Sequence, residues 1–171
     1  MVEGYSTIFA EVDRQVDAAC GKAVTMAVVS VGVGSWAQAV TKHYRSEHNC
    51  AQVVTVESEK APCLNESLRC GEITPVATEE TIMCGMNCGT VSFIAWPDLR
   101  QGVSTSVVVT DLEAHECVQF LQQAGLDVGP CGAAPLSAVR RMKSAGLLKP
   151  DPEAVVVLFS TEGMREYDIP S

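Results

Sequence analysis

Apolar residues fall along this chain in two rhythms. Ile8, Phe9, Val12, Val16 and Ala19 recur at helical spacing, with Glu11, Asp13, Arg14 and Asp17 between them. That pattern predicts a surface helix from about Tyr5 to Ala19, ended by Gly21. The second rhythm is the short unbroken run. Met26 to Val40 reads MAVVSVGVGSWAQAV: a β-branched stretch suited to a buried strand, then Gly32-Val33-Gly34-Ser35, then a small-residue segment reaching about His43. Ser35 is the expected N-cap of that second helix. A strand, a glycine turn and a helix start together gather backbone N–H groups at the positive end of a helix dipole, which suits an anion, phosphate above all.

The runs repeat down the chain. AQVVTV from Ala51 to Val56 predicts a strand that ends at Glu57, Ser106 to Thr110 a third, and AVVVLF from Ala154 to Phe159 a fourth. Helices are expected over Lys60–Arg69, Thr78–Asn87 and Val91–Leu99, with Pro97 at a helix start or kink. Others are expected over Asp111–Ala124, opened by a capping box of Thr110 and Glu113, and Ala133–Ser144, preceded by a turn over Gly129–Gly132. Strands that alternate with helices predict an α/β fold: one domain over 1–171, an open, mainly parallel sheet with helices on both faces. In such sheets ligands bind beyond the carboxyl ends of the strands. The Gly32–Ser35 loop and the Ser160–Gly163 loop each follow a strand directly, so parallel strands would bring both to one edge.

Composition narrows the classes. The 171 residues are 47% hydrophobic and 19% charged, enough apolar content to fold. Twelve basic residues against 21 acidic give a net charge of −9, which argues against nucleic acid or an anionic membrane surface as partner. No apolar run approaches the roughly 20 residues of a membrane helix. The N-terminal stretch, with acids at Glu3, Glu11 and Asp13, lacks a signal-peptide core, so a cytoplasmic protein is expected. Its eight cysteines are then expected as free, mostly buried thiols. Cys84 and Cys88 sit four apart, one helical face, with no second pair to complete a metal set. His43 and His48 are expected in solvent.

Gly32 to Ala37 also fits G-x-G-x-x-A, with Glu57 ending the next strand where an acid would hold a ribose hydroxyl. An NAD(P)-binding domain is therefore an alternative. The chain, however, resembles the C-terminal half of the diaminopropionate ammonia-lyases, pyridoxal-phosphate enzymes of the tryptophan synthase β type. The likeness runs through GYSTIFAEVD, VGVGSWAQAV, VVTVESEKAPCL, ETIMCGMNCGTVSFIAWPDLR, GPCGAAPLSAVR and VVLFSTEG. It implies a lyase that removes the α-proton and expels the β-amine of 2,3-diaminopropionate or a similar small amino acid, giving pyruvate and ammonia.

The resemblance implies that Gly32, Val33, Gly34 and Ser35 hold the phosphate of pyridoxal 5'-phosphate. It implies that Ser160 or Thr161 offers a hydroxyl to the pyridine nitrogen; a neutral partner there weakens the electron sink and suits elimination. Cys131 and Gly132 resemble a small-residue turn near the site. The Schiff-base lysine and the proton-moving carboxylates of these enzymes lie in their N-terminal half. None of Lys22, Lys42, Lys60, Lys143 and Lys149 has the context of that lysine, so no catalytic residue is assigned. A homodimer, or association with a separate N-terminal half, is expected, and a non-catalytic phosphate-binding remnant is a further alternative.

Overall fold

The structure, a computed structural model, describes residues 2–46 and 50–170. Helix α1 (Ser6–Cys20) ends at Gly21 in the left-handed conformation and leads into β1 (Met26–Ser30) and α2 (Ser35–Tyr44). Then come β2 (Gln52–Ser58), α3 (Cys63–Cys70), α4 (Trp96–Gly102), β3 (Thr105–Val109), α5 (Asp111–Gln123), α6 (Pro130–Ser144) and β4 (Val156–Leu158). The four strands form one sheet in the order β3-β2-β1-β4, and every pairing is parallel.

Alternate residues of β1 face opposite ways, and each face has its own core. Ala27, Val29 and Val31 pack with Phe9 of α1, Val40 and Tyr44 of α2, Leu64 of α3 and Leu99 of α4. Met26 and Val28, with Val54, Val56 and Val107, pack against Ala134, Ala138 and Met142 of α6. Helix α5 lies outside α6, meeting it through Cys117, Val118 and Ala133. The expected parallel sheet with helices on both faces is therefore present.

Several local expectations need correction. Ser35 is the first residue of α2, and its N-cap is Gly34 at φ 96°, a conformation serine would resist. An added Cβ at Gly34 would also lie 2.9 Å from Leu99 Cδ1. Helix α3 starts three residues later than expected because Pro62 sits before it as N-cap, and a residue preceding proline avoids the helical region. Residues Thr78–Asn87 are not a helix. They form no regular element except one 3-10 turn, Cys84–Met86, so Cys84 and Cys88 share no helical face. Their polar groups bond across the fold instead: Glu79 N–H donates to the Lys60 carbonyl and Asn87 Nδ2 to that of Glu79. The Gly129–Gly132 turn is the start of α6, with Gly129 as N-cap and Pro130 in the first turn. The short helix expected over Val91–Leu99 begins at Trp96, with Pro97 in its first turn. The capping box of Thr110 and Glu113 is complete in both directions.

The eight cysteines are all free, but only Cys63, Cys117 and Cys131 are buried; Cys20, Cys50, Cys70 and Cys84 are exposed. His43 is not simply solvated: it stacks on Phe9 at 4.6 Å between ring centroids and pairs with Asp13. His48 lies outside the described residues. Among the described residues no helix is long and apolar enough to cross a membrane, and no group of His, Cys, Asp and Glu side chains could hold a metal ion.

Candidate functional site

Parallel pairing puts the carboxyl ends of all four strands on one edge. There a cavity of about 500 Å³ opens between the end of β1 and the segment after β4. Ser30 and Gly32 line it from the end of β1, Thr161 and Glu162 from the segment after β4, and Gly85, Met86 and Cys131 complete the lining. Tyr5 and Trp36, with rings 4.8 Å apart, close the side nearest α1 and α2. The two loops expected to share an edge thus face one space.

The first turn of α2 opens at Gly34 with no side-chain cap, so its leading N–H groups keep their donor capacity. Trp36, on the cavity wall, has its indole Nε1 buried without a hydrogen-bond partner. The uncapped start of α2 therefore places backbone donors beside the cavity. Val33 is half exposed at the loop tip, where its carbonyl accepts from Ser92 N–H at 2.9 Å. Gly32 is closely approached: a Cβ there would stand 2.8 Å from the Gly85 carbonyl and 3.4 Å from Cys88 Sγ.

Ser160 and Thr161 do not point alike. Thr161 lines the cavity. Ser160 Oγ faces α6, where it would lie 2.7 Å from a Cβ added to Gly132. Glu162 fixes the segment between them and α6. Its Oε2 accepts the Cys131 N–H at 2.6 Å in the first turn of α6, and its Oε1 accepts from Arg165 Nε at 3.0 Å. Arg165 in turn donates to the Ile82 carbonyl. The Cys131 thiol, buried beside Glu162, is pushed up to about 12 by desolvation first and by that carboxylate second, so it stays protonated.

The whole chain is similar to known proteins. Residues 1–161 match the family described as pyridoxal-phosphate dependent enzyme. The chain belongs to that family. Diaminopropionate ammonia-lyase of Salmonella typhimurium is 27% identical, across 99% of this chain and 46% of its own length. The Escherichia coli diaminopropionate ammonia lyase, solved with an aminoacrylate-PLP azomethine reaction intermediate, superposes with a TM-score of 0.79 at 27% identity, over 95% of this chain and 44% of that one. Maize serine racemase shares the fold, with a TM-score of 0.82 at 18% identity over 96% of this chain and 49% of its own. The chain spans less than half the length of both ammonia-lyases.

Membership in a pyridoxal-phosphate dependent family settles what the glycine loop alone left open. The dinucleotide reading needed an accessible acid at the end of β2. Glu57 is fully buried, and its two oxygens accept the N–H groups of Leu64 and Asn65, both at 2.7 Å. Its carboxylate caps α3 and is closed to a ribose.

Among the described residues no lysine lines the cavity. Lys22 pairs with Glu153, Lys42 with Asp98 and Lys60 with Asp111. Lys143 borders a groove between α5 and α6, and Lys149 is exposed in the loop before β4. A larger depression of about 790 Å³ lies beyond β2 and β3, walled by Lys60, Thr81, Asp111 and Arg165. It contains neither the glycine loop nor Thr161, and the Lys60–Asp111 pair at 2.9 Å ties up its lysine. Sequence reasoning marked Gly32 and Thr161 because they follow strands. Glu162 was marked only as part of the Ser160–Gly163 loop, and Met86 and Tyr5, which reach the cavity from short 3-10 turns, were not singled out.

Proposed function

We propose that this chain is the cofactor-holding half of a lyase acting on 2,3-diaminopropionate or a similar small amino acid. The overall reaction takes 2,3-diaminopropionate and water to pyruvate and two molecules of ammonia. The observation that carries the reading is one cavity lined by both Gly32 and Thr161. It is large enough for a ligand of the size of pyridoxal phosphate, and similarity to two ammonia-lyases supports the substrate class.

Gly32, Val33, Gly34 and Ser35 would hold the phosphate through backbone N–H groups at the start of α2. Thr161, rather than Ser160, would offer its hydroxyl to the pyridine nitrogen, because it alone of the two lines the cavity. When bound, pyridoxal phosphate supplies the electron sink on which the chemistry depends. This chain's residues bind and orient it, and Tyr5 and Trp36 shield one side from water.

An amine for the cofactor's aldehyde and a base for the α-proton must lie within hydrogen-bond reach of the reacting atoms. The cavity's described walls supply no such amine, which supports a chain that binds cofactor and does not turn over substrate alone. The missing groups would come from a partner carrying the remainder of the family's length, or the chain is a non-catalytic binding remnant. The test is cofactor retention after gel filtration, read by absorbance, for the wild type and Val33→Asp. Val33 is exposed, so the substitution leaves the core intact while placing a carboxylate beside the phosphate loop. Retention by the wild type and at least a tenfold loss in the variant support the site; equal retention would overturn it.

A further inference from the structure

Glu57 is the buried ionisable group that the proposed function leaves unused. It lies near the end of β2, one strand away from the glycine loop, and both of its oxygens are engaged by the first turn of α3. The first residue of that turn is Cys63, also fully buried. The Cys63 thiol reaches the Gly32 carbonyl at 3.9 Å and lies within the electrostatic influence of the Glu57 carboxylate. A thiol has one proton, so the Glu57 carboxylate and the Gly32 carbonyl compete for it.

The Gly32 carbonyl and the Val33 N–H are opposite ends of one planar peptide. Whatever holds the carbonyl aims the N–H. Gly32 has no slack on its other side, where the Gly85 carbonyl and Cys88 Sγ crowd it. We propose that Glu57 is a positioning residue for the glycine loop, acting through Cys63 on the Gly32–Val33 peptide. The role in cofactor binding rests on the phosphate-loop reading above; the linkage itself does not.

Charge state sets the direction. Desolvation pushes Glu57 up to about 7, against the opposing pull of the Leu64 and Asn65 N–H groups and of Cys63. The titratable groups beside it are Cys63, raised to about 12, and Cys88, also raised, both by desolvation first and by the Glu57 charge second. Both thiols keep their protons near neutrality, so Glu57 alone changes there. Ionised, Glu57 draws the Cys63 S–H toward itself, and the thiol keeps its proton. Protonated, it releases the thiol to the Gly32 carbonyl.

The experiment follows backbone amide resonances of the cofactor-free chain by NMR from pH 5.5 to 8.5. Those of Leu64 and Asn65 report Glu57; those of Val33 and Gly34 report the loop. In the wild type all four are expected to follow one curve with a midpoint near 7. In Cys63→Ala the first pair should still titrate and the second should stand still, while Cys63→Ser, which keeps a donor, should restore the loop's response. A plain helix cap would leave Val33 and Gly34 unmoved in every protein, and that result would overturn the proposal. So would a loop titration that survives Cys63→Ala. Failure of pyridoxal phosphate to bind the same wild-type sample would overturn the proposed function and leave this result standing.

Discussion

The Cys131 backbone N–H donates to Glu162 Oε2 at 2.6 Å, joining the start of α6 to the segment that follows β4. The bond does two jobs. It satisfies a helix-terminal donor that has no partner within α6. It also pins the residue next to Thr161, so the helix start and the cavity wall are set by one carboxylate.

Glu162→Ala should therefore cost stability and binding together. Loss of the bond to α6 and of the Arg165 pair should lower stability by about 1–2 kcal/mol. Thermal melts would show this, and cofactor affinity should fall in parallel. A variant that melts lower but binds pyridoxal phosphate as tightly as the wild type would separate the two jobs.

The two neighbouring hydroxyls should behave differently. Thr161→Val preserves shape and removes the hydroxyl of the residue that lines the cavity; it should weaken cofactor binding several-fold and shift the bound absorbance band. Ser160→Ala should do neither, since Ser160 Oγ faces Gly132. Spectral titration of both variants checks the assignment, and the reverse ranking would give the ring contact to Ser160.

Burial of Glu57 makes a pH prediction. Its carboxyl is held at about 7 in the fold against an ordinary 4.5, so the native state binds the proton more tightly than the unfolded chain. The resulting stabilisation is fully present below pH 4.5 and is lost as pH rises through 7, about 3 kcal/mol in all. Denaturant melts of the wild type and Glu57→Gln should show the wild type losing ground to the variant between pH 5 and pH 8. A gap that stays constant over that range would mean Glu57 does not titrate in the fold.

Activity should be absent from the chain alone. With no lysine on the described cavity walls, ammonia release from 2,3-diaminopropionate should not exceed that of free pyridoxal phosphate under the same conditions. If it does, and one Lys→Ala change among Lys22, Lys42, Lys60, Lys143 and Lys149 abolishes it, the chain carries its own Schiff-base residue.

What could be read from the chain followed from locality. The runs at Met26, Ala51 and Ala154 are β-branched and flanked by breaks, so both the strands and the common edge of their loops were legible. Thr110 and Glu113 sit three apart, and so the capping box was too. Thr78–Asn87 misled because acids near its start mimic a helix's first turn, while what shapes it is bonding to Lys60 and Arg165, far away in sequence. Glu57 misled for a related reason. Its position fitted a ribose acid, and only the approach of α3 shows its oxygens already taken. Choosing Thr161 over Ser160 needed the third dimension as well, since adjacent residues with the same chemistry differ only in what they face.

Strand β1 takes one neighbour from the residues just after it and the other from β4, and Thr25 bonds to Val155 across 130 positions. During synthesis β2 can pair with β1 early, whereas the opposite flank must wait until Val156–Leu158 have left the ribosome. Throughout that interval Met26–Val28 present an open template to any passing strand. Thr161 comes after β4, so the cavity closes only once that strand has docked. The nascent chain thus acquires its binding competence abruptly rather than by degrees, and chaperone demand should be greatest just before β4 emerges.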